Sequence, residues 1–194
     1  MNLPNKLTIA RVVMIPFVMF FYLANFIPYG IGKLIALVLF IGAALTDLLD
    51  GKIARKRNLI TNFGKFLDPI ADKILTSAVL FLLIADGTIP NPWGVIAVTI
   101  IITREFVVSA LRLVAAANGR VLAADIWGKA KTMVQMIAIP FAMILSCLYS
   151  IGAVNWLIIV TQIIAFTLVL VATVLTVVSG ANYLIKNKDC FTDK

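Results

Sequence analysis

The sequence predicts an all-α integral membrane protein with six transmembrane helices in one domain, residues 1–194. Three observations carry this. The chain is 62% hydrophobic and only 13% charged, with a mean hydropathy of +1.05, a balance foreign to water-soluble globules. Apolar runs fall at roughly 12–28, 34–51, 66–85, 93–117, 132–149 and 154–185, separated by Pro, Gly or charge, and most can cross about 30 Å of hydrocarbon as helices. Period-2 alternation with polar partners is absent, and lipid cannot satisfy unpaired backbone groups, which argues against a β-barrel.

The first run follows Asn5, Lys6, Thr8 and Arg11. It reads as helix 1 rather than a secretory signal, because it is long and no small-residue cleavage site ends it. The second run closes on Asp47 and Asp50, and the third contains Asp68 and Asp72. The fourth carries Arg104 and Glu105 near its middle, read as a charged pair buried among helices, and Arg112 nearer its end. The fifth opens from G-K-A-K-T-M-V-Q at Gly128 to Gln135, and the sixth ends at Lys186. Trp93, Trp127 and Trp156 stand near predicted interfaces as an aromatic belt.

Basic residues are distributed asymmetrically. Lys52, Arg55, Lys56, Arg57 and Lys65 are expected between helices 2 and 3, Arg120, Lys129 and Lys131 between helices 4 and 5, and Lys186, Lys188 and Lys194 close the chain. The stretches 85–93 and 149–155 hold no Lys or Arg, and the first outer loop has only Lys33. The positive-inside rule then predicts a multi-pass protein of the cell membrane with both termini cytoplasmic. The net charge of +8 also favours anionic headgroups of the lipid bilayer. Cys147 and Cys190 read as unpaired thiols. Histidine is absent, so acid–base or metal chemistry must use carboxylates, and nothing suggests a haem, a flavin or a nucleic-acid surface.

Four of the nine acidic residues, Asp47, Asp50, Asp68 and Asp72, lie in one short stretch. With helix 2 leaving the membrane near Lys52 and helix 3 entering near Lys65, a rise of 1.5 Å per residue puts them about 3 to 10.5 Å inside the cytoplasmic edge. The expectation is a polar active-site cavity at that edge. Each pair, spaced by three or four positions, projects from one helical face, and Gly51, Ala54 and Gly64 leave room for a substrate near the backbone. A formal charge of −4 matches two divalent cations, and all-oxygen ligation suits Mg2+ or Mn2+. Simple pairing with Lys52, Arg55, Lys65 and Lys73 is the bland alternative, but each intramembrane charge costs about 2.5–3.5 kcal/mol on insertion scales, which four clustered aspartates would not incur without a function.

The order Asp47-x2-Asp50-Gly51-x2-Ala54-Arg55-x8-Gly64-x3-Asp68-x3-Asp72 resembles the complete signature of the CDP-alcohol phosphatidyltransferase family. The resemblance implies a six-helix membrane enzyme that moves a phosphatidyl or related group from a CDP-linked donor to an alcohol, with CMP leaving. It also implies that Asp47, Asp50, Asp68 and Asp72 bind two metal ions, that Asp72 is the general base on the acceptor, and that Gly51, Ala54, Arg55 and Gly64 shape the donor's nucleotide and phosphate pocket. A homodimer is expected from the same resemblance.

Three further segments are similar to the branch of that family that forms phosphatidylglycerol phosphate from CDP-diacylglycerol and glycerol 3-phosphate. The opening N-L-P-N-K-L-T-I-A-R places Asn5, Thr8 and Arg11 at intervals of three, implying contact with the donor; read alone, the same segment is also a helix start with Arg11 snorkelling to the interface. T-R-E-F-V-V-S-A-L-R at Thr103 to Arg112 and the segment from Gly128 to Gln135 bring Arg112, Lys129 and Lys131 toward an acidic acceptor. A cytoplasmic helix end is the alternative explanation of the lysines. Ser179, Gly180 and Tyr183 match a tail motif without an assigned role. Serine, an inositol phosphate or phosphatidylglycerol stand as alternative acceptors, and a divalent-cation transporter as the alternative class. The latter is disfavoured because the outer helix halves offer almost no polar path and the loops there carry only Asp86.

Overall fold

The structure, a computed structural model, describes the backbone of residues 3–24, 26–27, 30–57, 62–117 and 126–187, and the side chains of 8–24, 26–27, 30–46, 70–116 and 126–187. Six helices follow in order: α1 (Leu3–Leu23), α2 (Ile31–Arg57), α3 (Asn62–Ala85), α4 (Trp93–Ala117), α5 (Ile126–Ser150) and α6 (Asn155–Lys186). Among the described residues, Trp93–Ala116, Ile126–Ser150 and Asn155–Lys186 are long and apolar enough to cross a membrane, and Thr8–Leu23 and Ile31–Thr46 are shorter apolar stretches.

The helices outrun several apolar stretches. α1 starts at Leu3 and α5 at Ile126, ahead of the runs at 12 and 132. α2 continues through Lys52, Arg55 and Lys56 to Arg57. With Lys65 on α3 and Lys129 and Lys131 on α5, this corrects the expectation that these cations lie between helices. Hydropathy marks where the bilayer ends, whereas the helix continues because Ala, Lys and Arg are good helix formers and cations suit a helix C-terminus. α1 stops at Leu23, short of the run's end at 28, and Phe26 and Ile27 lie in a turn and a bend.

α1 packs on α2 and α3, α6 on α4 and α5, and α5 reaches α2 and α3, so α3 and α5 border the interior. Alanines 36, 43 and 142 are completely buried, and such small residues let helix backbones approach closely. Phe40, Leu75, Val79, Leu83, Ile101, Ile139 and Met143 fill the space between them. Large apolar side chains also cover the outside, with Phe81 58% and Ile163 61% exposed, as expected where the surrounding solvent is lipid. Trp93, Trp127 and Trp156 are exposed in the first turns of α4, α5 and α6, as an interfacial belt requires.

A polar knot ties the end of the bundle where α3 gives way to α4. Asp86 accepts hydrogen bonds from Tyr22 Oη at 2.5 Å, Lys33 Nζ at 3.0 Å, the Thr88 amide at 3.0 Å and Ser146 Oγ. Burial pushes the Asp86 carboxyl up, but hydrogen bonds from Ser146, Thr88 and Tyr22 outweigh it and hold the group below its ordinary value. The knot joins α1, α2, the α3–α4 connection and α5. It fixes the bundle about 21 Å along α3 from Asp72, counting 1.5 Å per residue.

Candidate active site

Asp72 is half-buried on α3, one turn before Thr76. The Thr76 hydroxyl donates back to the Asp72 and Lys73 carbonyls at 3.0 and 3.2 Å. Facing them on α5 are Lys131 and Gln135, again one turn apart. These two polar pairs, with Glu105 of α4 and Thr132 and Met136 of α5, line a cavity of about 40 Å³. The spacing of four residues explains the arrangement, since it stacks two side chains on one helical face.

Charge organises the site. The Lys131 side chain is 1% exposed and its ammonium is bound to Glu105 Oε1. Arg104 donates to the same carboxylate oxygen at 3.1 Å and, through its other terminal nitrogen, to Ser179 Oγ at 2.7 Å. Gly180 packs closely against this side chain: a Cβ there would sit 3.0 Å from Arg104 Cγ. Thus Arg104 and Glu105, expected as a charged pair, form that pair and extend it on both sides, to α6 through Arg104 and to α5 through Glu105. Asp72 lies within electrostatic reach of Lys131, and Lys73 within reach of Glu105. A buried ammonium needs such a partner because its desolvation is otherwise uncompensated.

The three cations expected to gather on an acceptor have different neighbours. Lys131 is at the cavity. Arg112 is exposed, lies 5.4 Å from the Tyr183 ring centroid, and donates from Nε to Tyr183 Oη at 3.2 Å. Lys129 is exposed. On α1, Thr8 and Arg11 are 1% and 2% exposed, so Arg11 is enclosed by the protein and does not snorkel to the interface. Asn5 lies in the first turn of α1. Asp47, Asp50, Gly51, Ala54 and Arg55 lie on α2, and Gly64 and Asp68 on α3. The side chains of these residues fall outside the described ones. α2 and α3 touch, so the two aspartate pairs belong to packed neighbours.

Thr76 and Gln135 were not singled out for chemistry from the sequence, nor were Ser179, Gly180 and Tyr183 given roles. A signal for the first two was present: polar residues one turn beyond Asp72 and Lys131 on otherwise apolar helices. Cys147 is a free thiol, as expected.

Taken together, a bundle of apolar-surfaced helices with a half-buried carboxylate and a buried lysine at one small cavity defines a helical membrane protein with a polar site. The family model for CDP-alcohol phosphatidyltransferase matches residues 1–185. The chain is 43% identical to the CDP-diacylglycerol–glycerol-3-phosphate 3-phosphatidyltransferase of Bacillus subtilis, over 96% of this chain and 95% of that protein. It is 35% identical to the protein of the same name from Rickettsia bellii, over 94% and 93%, and 37% identical to that from Haemophilus influenzae, over 94% and 91%. The chain belongs to the CDP-alcohol phosphatidyltransferase family.

Proposed function

We propose that this protein transfers the phosphatidyl group of CDP-diacylglycerol to glycerol 3-phosphate, releasing CMP and phosphatidylglycerol phosphate. The observation that carries the reading is Asp72 on a cavity shared with the buried ammonium of Lys131, in a chain that holds the whole aspartate signature. The names of the relatives support the acceptor.

In this reading a hydroxyl of glycerol 3-phosphate attacks the β-phosphorus of the donor. A new oxygen–phosphorus bond forms, the bond from that phosphorus to the CMP oxygen breaks, and the hydroxyl proton passes to Asp72. Lys131 meets the acceptor's negative charge, with Glu105 holding the ammonium in place until substrate arrives. Arg112 and Lys129 flank this path. Thr8 and Arg11, enclosed on one face of α1, meet the donor together with Asn5, Gly51, Ala54, Arg55 and Gly64.

Asp47, Asp50, Asp68 and Asp72 would hold two divalent cations, Mg2+ or Mn2+. An all-oxygen donor set in a chain without histidine fits such hard ions. When bound they withdraw charge from the pyrophosphate and stabilise the departing CMP. The clustering of cations supports six spans, cytoplasmic termini and a site open to the cytoplasm. A homodimer of single-domain chains completes the reading.

The test is CMP release from CDP-diacylglycerol by purified protein with Mg2+ or Mn2+, comparing glycerol 3-phosphate, serine, an inositol phosphate and phosphatidylglycerol. Release with glycerol 3-phosphate alone is expected; release with another acceptor and not this one overturns the substrate.

A further inference from the structure

Gln135 is 6% exposed, and its Oε1 is buried with no hydrogen-bond partner among the described residues. It lines the cavity that also holds Asp72, Thr76 and Lys131. A buried carbonyl oxygen of this kind costs free energy unless a donor meets it. No donor comes from the two hydroxyls that line the cavity, because Thr76 Oγ1 and Thr132 Oγ1 each direct their proton to the backbone of their own helix. The cavity, about 40 Å³, exceeds the roughly 10–15 Å³ a single water needs. It therefore has room for one hydroxyl-bearing carbon, and a water in the resting protein would be displaced by a group that reproduces its hydrogen bond.

The positions along the helices set the order of contacts. Gln135 is one turn further into α5 than Lys131, and Thr76 one turn further into α3 than Asp72. Each step is about 6 Å of rise. Asp72 and Lys131 form one level of the cavity, and Thr76 and Gln135 form the next. An acceptor with its anionic group toward Lys131 and its attacking hydroxyl toward Asp72 would turn the carbon between them toward the second level.

The geometry points to Gln135 as a specificity-determining residue: its Oε1 accepts a hydrogen bond from the non-attacking, middle hydroxyl of a phosphorylated polyol. This rests on the reading of glycerol 3-phosphate as acceptor and deepens it. A subsite that pairs a buried acceptor with a substrate hydroxyl rejects the analogue that lacks it far better than an apolar pocket rejects an extra group.

The experiment compares glycerol 3-phosphate with 3-hydroxypropyl phosphate, which lacks the middle hydroxyl, for wild type, Gln135→Met and Gln135→Glu. The preference is the ratio of kcat/KM values within one preparation, so a loss of folded protein cancels. Wild type should prefer glycerol 3-phosphate by about tenfold or more, the factor that one such hydrogen bond supplies. Gln135→Met should lose that preference by slowing only the natural acceptor, and Gln135→Glu, which retains an accepting oxygen, should keep it. An unchanged preference in Gln135→Met, an equal loss with both acceptors, or lost preference in Gln135→Glu overturns the assignment. Wild type inactive with both acceptors would instead overturn the acceptor reading itself.

Discussion

Lys131 of α5 and Glu105 of α4 form an ion pair on the wall of the cavity that Asp72 also lines. The two residues are 26 positions apart in the chain. The pair does two things at once: it makes a buried ammonium tolerable, and it holds that ammonium beside the carboxylate expected to accept the proton.

Breaking the pair from one side should therefore cost stability as well as activity. Glu105→Gln leaves the Lys131 charge without its partner, a change worth about 3–5 kcal/mol in buried pairs, toward the lower end here because Glu105 keeps a fifth of its surface exposed. Thermal unfolding in detergent should show the loss. Glu105→Met combined with Lys131→Met should recover much of the stability while remaining inactive. A double variant no more stable than Glu105→Gln would contradict this account.

Asp72→Asn keeps the size and most hydrogen-bonding capacity of the side chain but removes the carboxylate proposed as the base. General-base contributions are about 10²–10⁴-fold, so CMP release should fall by at least that while the unfolding temperature changes little. Activity within a few-fold of wild type would exclude Asp72 as the base.

Gly180 is expected to be sensitive to size. A methyl group at this position comes within 3.0 Å of Arg104 Cγ, so Gly180→Ala needs a shift of a few tenths of an ångström along a flexible chain and should be mild. Gly180→Leu should push Arg104 away from Ser179 and Glu105, costing about 1–3 kcal/mol as overpacking does and lowering activity through Lys131. Equal stability of the two variants would argue against close packing at Gly180.

Asp86 carries a pH signature. Its folded value lies below the ordinary 3.8, so its contribution is fully present above that value and is lost as pH falls through the lower folded value. Unfolding temperatures of wild type and Asp86→Asn should differ most at neutral pH and converge as the medium is acidified below about pH 4. A difference that persists unchanged into strong acid would show that the knot does not depend on the carboxylate charge.

The helices were legible because each rests on a local rule: a long apolar run must be helical in lipid. Their ends were less legible. α2 passes through Gly51 to Arg57 because a helix needs only good helix formers and hydrogen-bonded backbone, whereas a hydropathy boundary reports where lipid stops. Asp72 and Lys131 were singled out from their motifs, and the structure brings both to one cavity. Gln135 and Glu105 carried no comparable motif role, and only their packing brings them to the same cavity.

Composition and spacing by themselves determined the helical membrane class, the paired aspartates on α2 and α3, and the family, since all of these follow from residues within a few turns of one another. Tertiary structure alone decided that Lys131 meets Glu105, that Arg104 reaches Ser179 over Gly180, that Arg112 turns to Tyr183, and that Gln135 shares one cavity with Asp72. The physical reason is that periodicity states which face of a helix a side chain occupies, while its partner is chosen by how the faces of different helices pack, and that choice depends on the whole bundle.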